Sequence, residues 1–238
     1  LGKTRLVETL ATVFGMDTRR VQFTPDLMPA DILGAEVLEE SNTGRRSFRF
    51  IKGPVFCQVL MADEINRATP RTQSALFEAM AERQVTIDNT QRKLPASFFV
   101  VATQNPVEMH GAYPLPEAQL DRFAMKLRIG YPDRDNEMEM LAANVGQGGA
   151  TPVADEEGLD PNRLSELQKH VSEVTVCKAV REYLVDLAAA TRAHPDIALG
   201  LSPRGLIMWQ AVSQALAHLK GRDFVTPDDV QEVALPVL

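Results

Sequence analysis

Cysteine is nearly absent: the 238-residue chain has two, Cys57 and Cys177, far apart in sequence. A disulfide framework or a cysteine-based zinc site needs more, so neither is expected to hold this fold together. The four histidines, His110, His170, His194 and His218, share no ligand spacing with one another or with a cysteine, which removes the usual metal signatures. No apolar run approaches the roughly 20 residues a bilayer-spanning helix needs, and no signal-like segment stands out. No membrane insertion and a cytoplasmic location are therefore expected. Basic excess is lacking as well. A formal charge of −7 argues against nucleic acid as a main partner, because neutralising phosphates takes a basic footprint. Internal repeats and low-complexity tracts are missing too. What remains is a globular composition, 45% hydrophobic and 24% charged, in a length that suits one large or two modest domains.

Two motifs carry chemistry. Residues 55–64 read VFCQVLMADE, an apolar run of strand length ending in the adjacent carboxylates Asp63 and Glu64. The chain opens on Gly2-Lys3-Thr4, the second half of a glycine-rich phosphate loop; the Gly-x-x-x-x that ordinarily precedes it would lie before Leu1. Alone, the tripeptide is a common accident and the acidic pair a solvated strand end. Together they describe a site for a nucleoside triphosphate. Lys3 would place a cation on the β- and γ-phosphates, the Thr4 hydroxyl would hold Mg²⁺, and free N–H groups at the helix start would bind phosphate oxygens. Asp63 would complete the Mg²⁺ shell, and Glu64 would polarise the attacking water.

The surrounding pattern predicts alternating strands and helices. Apolar spacing over 3–14 gives a helix closed by Gly15, with a short strand at 21–24. A helix interrupted by a hairpin follows, through Gly34 and Ser41-Asn42-Thr43-Gly44. Thr69-Pro70 reads as a hydroxyl cap and a first-turn proline for a helix ending near Arg83. A second hairpin spans 85–94. Residues 98–103, FFVVAT, form another apolar strand that ends at Gln104-Asn105, and two such strands among helices predict a parallel sheet buried on both faces. From 133 onward only helical patterns occur. The division expected is an α/β core over 1–132 with insertions near 34–53 and 85–94, then an all-helical domain over 133–238 with a mobile loop near 146–161. Arg45, Arg46, Arg49 and Lys52, interleaved with Phe48 and Phe50, are either a contact surface on the first hairpin or a solvated face of ordinary alternation.

The stretches ADEINRATPRTQSALFEAMAERQVT (62–86) and ATQNPVEMHGAYPLPEAQLDRFAMKLRIGYP (102–132), with the closing GRDFVTPDDV, resemble the MoxR-type AAA+ ATPases. The resemblance implies a P-loop core followed by a helical lid. It implies Walker A roles for Gly2, Lys3 and Thr4 and Walker B roles for Asp63 and Glu64. Asn105 matches sensor 1, which places the attacking water. Arg122 in Leu120-Asp121-Arg122-Phe123 matches the arginine finger that reaches a neighbouring subunit's nucleotide, and Arg204 matches sensor 2 on the lid, directed toward the cleft between domains. ATP and Mg²⁺ are the implied cofactors. The implied assembly is a homo-oligomeric ring, expected to be a hexamer, that hydrolyses ATP to remodel, mature or activate a client protein. A partner bearing a von Willebrand factor A domain is suggested by the same resemblance. The alternatives are a nucleotide-switched assembly scaffold with negligible turnover and a DNA-acting motor, the second disfavoured by the acidic balance.

Overall fold

The computed structural model describes residues 3–40, 46–104, 113–144 and 161–238. Gly2, Arg45, Asn105 and all but the last residue of the 146–161 segment lie outside the described residues.

Helix α1 (Lys3–Val13) buries Val7 and Ala11, four residues apart and so on one face. Gly15, at φ 60°, closes it. Strand β1 (Thr18–Gln22) comes next, then the short helix α2 (Pro29–Leu33) and an antiparallel hairpin of β2 (Gly34–Glu40) with β3 (Arg46–Lys52). Glycine is required where that hairpin opens: Gly34 has φ +97°, and a Cβ there would fall 2.3 Å from the Ile51 carbonyl oxygen. Strand β4 (Val59–Asp63) leads through a 3-10 turn (Ile65–Arg67) into helix α3 (Pro70–Glu82). A second hairpin, β5 (Gln84–Ile87) with β6 (Thr90–Lys93), precedes β7 (Phe99–Ala102).

The sheet is parallel, in the order β1-β4-β7. Every residue of β4 is buried, as an unbroken apolar run at the centre of such a sheet demands. The core beside it gathers Phe23, Ile32, Leu60, Leu76 and Phe77, while α1 covers the other face through Val7 and Ala11 against Val59 and Met61. The helices that follow are α4 (Glu117–Leu120), α5 (Arg134–Asn144), α6 (Pro161–Glu173), α7 (Lys178–Ala193), α8 (Pro203–Leu219), α9 (Pro227–Glu232) and α10 (Ala234–Val237). A separate apolar cluster holds the last of these together around Leu184, Trp209 and Val230, and the Trp209 indole N–H donates to the Val230 carbonyl at 2.9 Å. Among the described residues, hydrogen bonds from Ser202 Oγ to Asp121 Oδ1 and from Lys126 N–H to the Pro236 carbonyl join core to lid.

Several expectations need correction. The apolar run from 55 is strand only from Val59, because Gly53-Pro54 starts a turn that carries Val55 and Cys57 into the core without a ladder. The first strand runs over Thr18–Gln22 rather than 21–24, since its arginines hid an exposed-edge pattern. Burial on both faces holds along β4 and fails on β7, where Phe99 is 55% exposed. Thr69 makes no side-chain cap on α3; its hydroxyl pairs instead with Thr72 Oγ1 at 3.3 Å. The caps expected at the later helices are made: Ser202 Oγ accepts from Gly205 N–H, and Thr226 forms a capping box with Asp229. Two members of the basic cluster pair within their own hairpin, Arg46 with Glu40 at 3.1 Å and Arg49 with Glu39 at 3.0 Å. Arg92 of β6 reaches across to Glu36 of β2 at 3.1 Å and lies 3.8 Å from the centre of the Phe50 ring, tying one hairpin to the other.

Candidate active site

The C-terminal end of β4 delivers Asp63 and then turns sharply. Glu64 adopts φ 54°, ψ 46°, the left-handed region that costs a non-glycine residue about 1 kcal/mol or more, and this throws its carboxylate off the strand axis. The turn is held by Thr103, just past β7. Its hydroxyl donates to Asp63 Oδ1 and accepts the Glu64 N–H, both at 3.0 Å, and its carbonyl accepts from Ile65 N–H at 3.1 Å. Gln73, fully buried on α3, supports the same turn by donating Nε2 to the Ile65, Ala68 and Tyr113 carbonyls.

Both carboxylates have partners. Asp63, 7% exposed, accepts at Oδ2 from Nε and Nη2 of Arg20. Glu64 Oε2 accepts from Gln22 Nε2 and from Arg67 Nη1, each at 2.9 Å. Arg20 and Gln22 sit two apart on β1 and so project to one side of the sheet, with Gln22 in register with Asp63. None of Arg20, Gln22, Arg67 or Thr103 stood out in the sequence. A period-2 reading of β1 would have paired Arg20 with Gln22, but only strand register shows which acid each meets.

Lys3 and Thr4 occupy the first turn of α1, where N–H groups have no intrahelical acceptor. A short turn reverses the chain between α1 and β1, and β1 runs parallel to β4, so this helix start lies at the sheet end that carries Asp63. Neither side chain has a hydrogen-bond or ion-pair partner among the described residues, leaving a cation, a hydroxyl and free amides at that end. A hydroxyl and a buried carboxylate are hard oxygen donors of the kind Mg²⁺ takes, so these residues fit that ion. Arg122 and Arg204 are placed elsewhere. They line one cleft of about 270 Å³ along the C-terminal half of α3, with Glu78 and Glu82, whereas Glu64 precedes the N-terminus of that helix. Arg122 Nη1 donates to the Phe77 carbonyl at 3.3 Å; Arg204 has no hydrogen-bond or ion-pair partner among the described residues. The structure thus brings Lys3, Thr4, Asp63 and Glu64 to one end of the sheet and the two arginines to another face, and Gly2 and Asn105 are not described.

A parallel α/β core with an acidic pair at the tip of its central strand, followed by a helical lid, defines a nucleotide-handling P-loop class. Comparison with known proteins narrows this. Residues 1–125 match the ATPase family associated with various cellular activities (AAA), and residues 189–238 match the AAA lid domain. The chain is 45% identical over 238 residues to the uncharacterised protein YeaC of Bacillus subtilis, covering 98% of this chain and 72% of that one. It is 41% identical over 247 residues to chaperone MoxR1 of Mycobacterium tuberculosis, covering 100% of this chain and 64% of the relative, just under two thirds of its length. A crystal structure of a candidate ATPase from Cytophaga hutchinsonii superposes with a TM-score of 0.88 at 39% identity, covering 100% of this chain and 73% of the other. The chain belongs to the MoxR family of chaperone-like AAA+ ATPases. No helix among the described residues is long and apolar enough to cross a membrane.

Proposed function

We propose that the protein hydrolyses ATP to ADP and phosphate in a Mg²⁺-dependent reaction and couples turnover to the remodelling, maturation or activation of a client protein. One observation carries this reading: Asp63 and Glu64 emerge from a fully buried strand at the sheet end that also presents Lys3, Thr4 and the free amides of α1. Thr4 and Asp63 would hold Mg²⁺, which when bound offsets negative charge on the phosphate oxygens. Lys3 and the α1 amides bind those oxygens directly, beside Gly2. Glu64, turned off the strand axis, takes the proton of the attacking water, and Asn105 orients that water.

Arg122 and Arg204 lie on a cleft removed from the chain's own acidic pair. That placement suits delivery of the Arg122 charge, as the arginine finger, to the nucleotide of an adjoining copy, while Arg204 serves as the sensor 2 arginine that the lid presents at the cleft between domains. A ring of copies, taken as a hexamer, is then the working form, and a cytoplasmic location is part of the same proposal. The client remains defined by class alone, with a protein bearing a von Willebrand factor A domain as the suggested partner. The pairing of Arg46 with Glu40 and of Arg49 with Glu39 weighs further against a DNA-acting motor.

A second reading, the nucleotide-switched scaffold, draws on the engagement of Glu64 by Gln22 and Arg67, which holds its carboxylate in a resting position. Glu64→Gln separates the two. If the protein is a hydrolase, the variant binds ATP as the wild type does and loses turnover by about 10²–10⁴-fold. A wild type with no turnover to lose supports the scaffold, and equal loss of binding and turnover shows that Glu64 is misassigned.

A further inference from the structure

We propose that Arg20 is a displaceable counter-cation of Asp63 that sets the metal affinity of the site. This rests on the reading of Asp63 as the carboxylate that meets Mg²⁺.

The geometry is asymmetric. Arg20 Nε and Nη2 both lie 2.6 Å from one oxygen, Asp63 Oδ2. The other oxygen is taken by Thr103, whose hydroxyl is itself fixed by the Glu64 N–H. Asp63 therefore has no freedom to rotate away from its partner. Arg20 does: its side chain is 53% exposed, against 9% for that of Asp63. Its long stem can carry the guanidinium into solvent while the carboxylate stays where β4 puts it.

A buried carboxylate needs a compensating charge, and Arg20 supplies it. A divalent ion approaching Oδ2 would meet a guanidinium already on that oxygen, and two cations at such a distance in a partly desolvated site repel strongly. Metal entry therefore requires Arg20 to leave. The ion pair satisfies Asp63 electrically and sets a threshold that a free metal ion would cross less readily than one arriving with a polyphosphate. The Gln22 and Arg67 side chains, by contrast, donate to Glu64, so their release from that carboxylate is a separate event.

The test is a titration of the full-length protein with Mn²⁺, followed by its paramagnetic signal, with ADP present and in its absence. Arg20→Gln should lower the half-saturating Mn²⁺ by about tenfold, the larger change falling in the titration without nucleotide. Arg20→Lys, which keeps a cation near Asp63, should stay within about twofold of the wild type. Unchanged or weaker metal binding by a folded Arg20→Gln protein overturns the proposal. Should that variant fail to fold, the ¹⁵N–¹H signal of the Arg20 Nε in the wild type decides: it should lose its ion-pair shift on addition of Mg²⁺ and ADP, and a signal that does not move overturns the proposal. A wild type with no metal-dependent nucleotide binding would contradict the ATPase reading itself, whereas normal binding with an unshifted Arg20→Gln titration contradicts only the role of Arg20.

Discussion

Asp63 in the core and Asp229 in the lid share a chemistry, a buried carboxylate held by an arginine and a threonine, and differ in what they leave open. Asp229 is 0% exposed and saturated with donors. Arg222 grips it through both Nη atoms, Lys220 Nζ adds a bond at 3.2 Å, and Thr226 donates both its N–H, at 2.9 Å, and its hydroxyl, at 2.8 Å. The Arg222 pair holds its carboxyl well below the usual carboxylate range. Asp63 has one arginine, itself half exposed, crowded onto a single oxygen, and one hydroxyl on the other. Full satisfaction makes a structural pin that fixes the turn between α8 and α9. Partial satisfaction by a half-exposed cation leaves, on the proposal made above, a site that another ligand can enter. In the proposed reading the same residue types serve architecture in one domain and chemistry in the other, and the number and exposure of their donors tells the two apart.

The comparison can be broken by removing each charge in turn. Asp63→Asn should cut ATP turnover by roughly a thousandfold, since the oxygen proposed to meet Mg²⁺ would lose its charge. The thermal midpoint should hardly move, because the partner Arg20 already reaches water. A large fall in melting temperature would make Asp63 a pin like its counterpart. Asp229→Asn should do the reverse, costing about 3 kcal/mol of stability because Arg222 and Lys220 lose their shared anion, with turnover per folded molecule retained. Calorimetry across pH sharpens this. The folded-state pKa of Asp229 is depressed, so its contribution is present above the unfolded value of about 4 and is lost as pH falls through the folded value. The wild type should therefore lose stability in acid more steeply than Asp229→Asn, and parallel acid limbs would contradict the assignment.

What the sequence shows by itself divides along the same line. Local signals are legible. Proline after Ser202 and Thr226 marks helix starts that the structure places at Pro203 and Pro227, because capping is decided within four residues. The acidic pair is legible too, since the apolar run before it is long enough for a buried strand that reaches the surface at its tip, which the structure places at Val59–Asp63. Long-range pairings are not. Arg20 reads as an ordinary strand arginine until register sets β1 beside β4, and Arg46 and Arg49 read as a basic patch until β2 brings Glu40 opposite Arg46 and Glu39 diagonally within reach of Arg49. Thr103 looks like the last residue of an apolar run, and its bridging of Asp63 to the Glu64 backbone depends on a crossover from β4 to β7. Arg122 and Arg204 share a cleft for a similar reason: the link between Ser202 and Asp121 seats the start of α8 against the end of α4, some eighty residues away in sequence.

The most direct measurement is steady-state ATP hydrolysis by the full-length protein over a range of concentrations, with oligomer mass recorded in the same samples and Arg122→Ala run beside the wild type. The account predicts specific activity that rises as a ring forms and an Arg122→Ala protein that binds nucleotide and assembles yet loses that rise. Activity independent of assembly, or a variant whose activity falls with its concentration dependence intact, would contradict it.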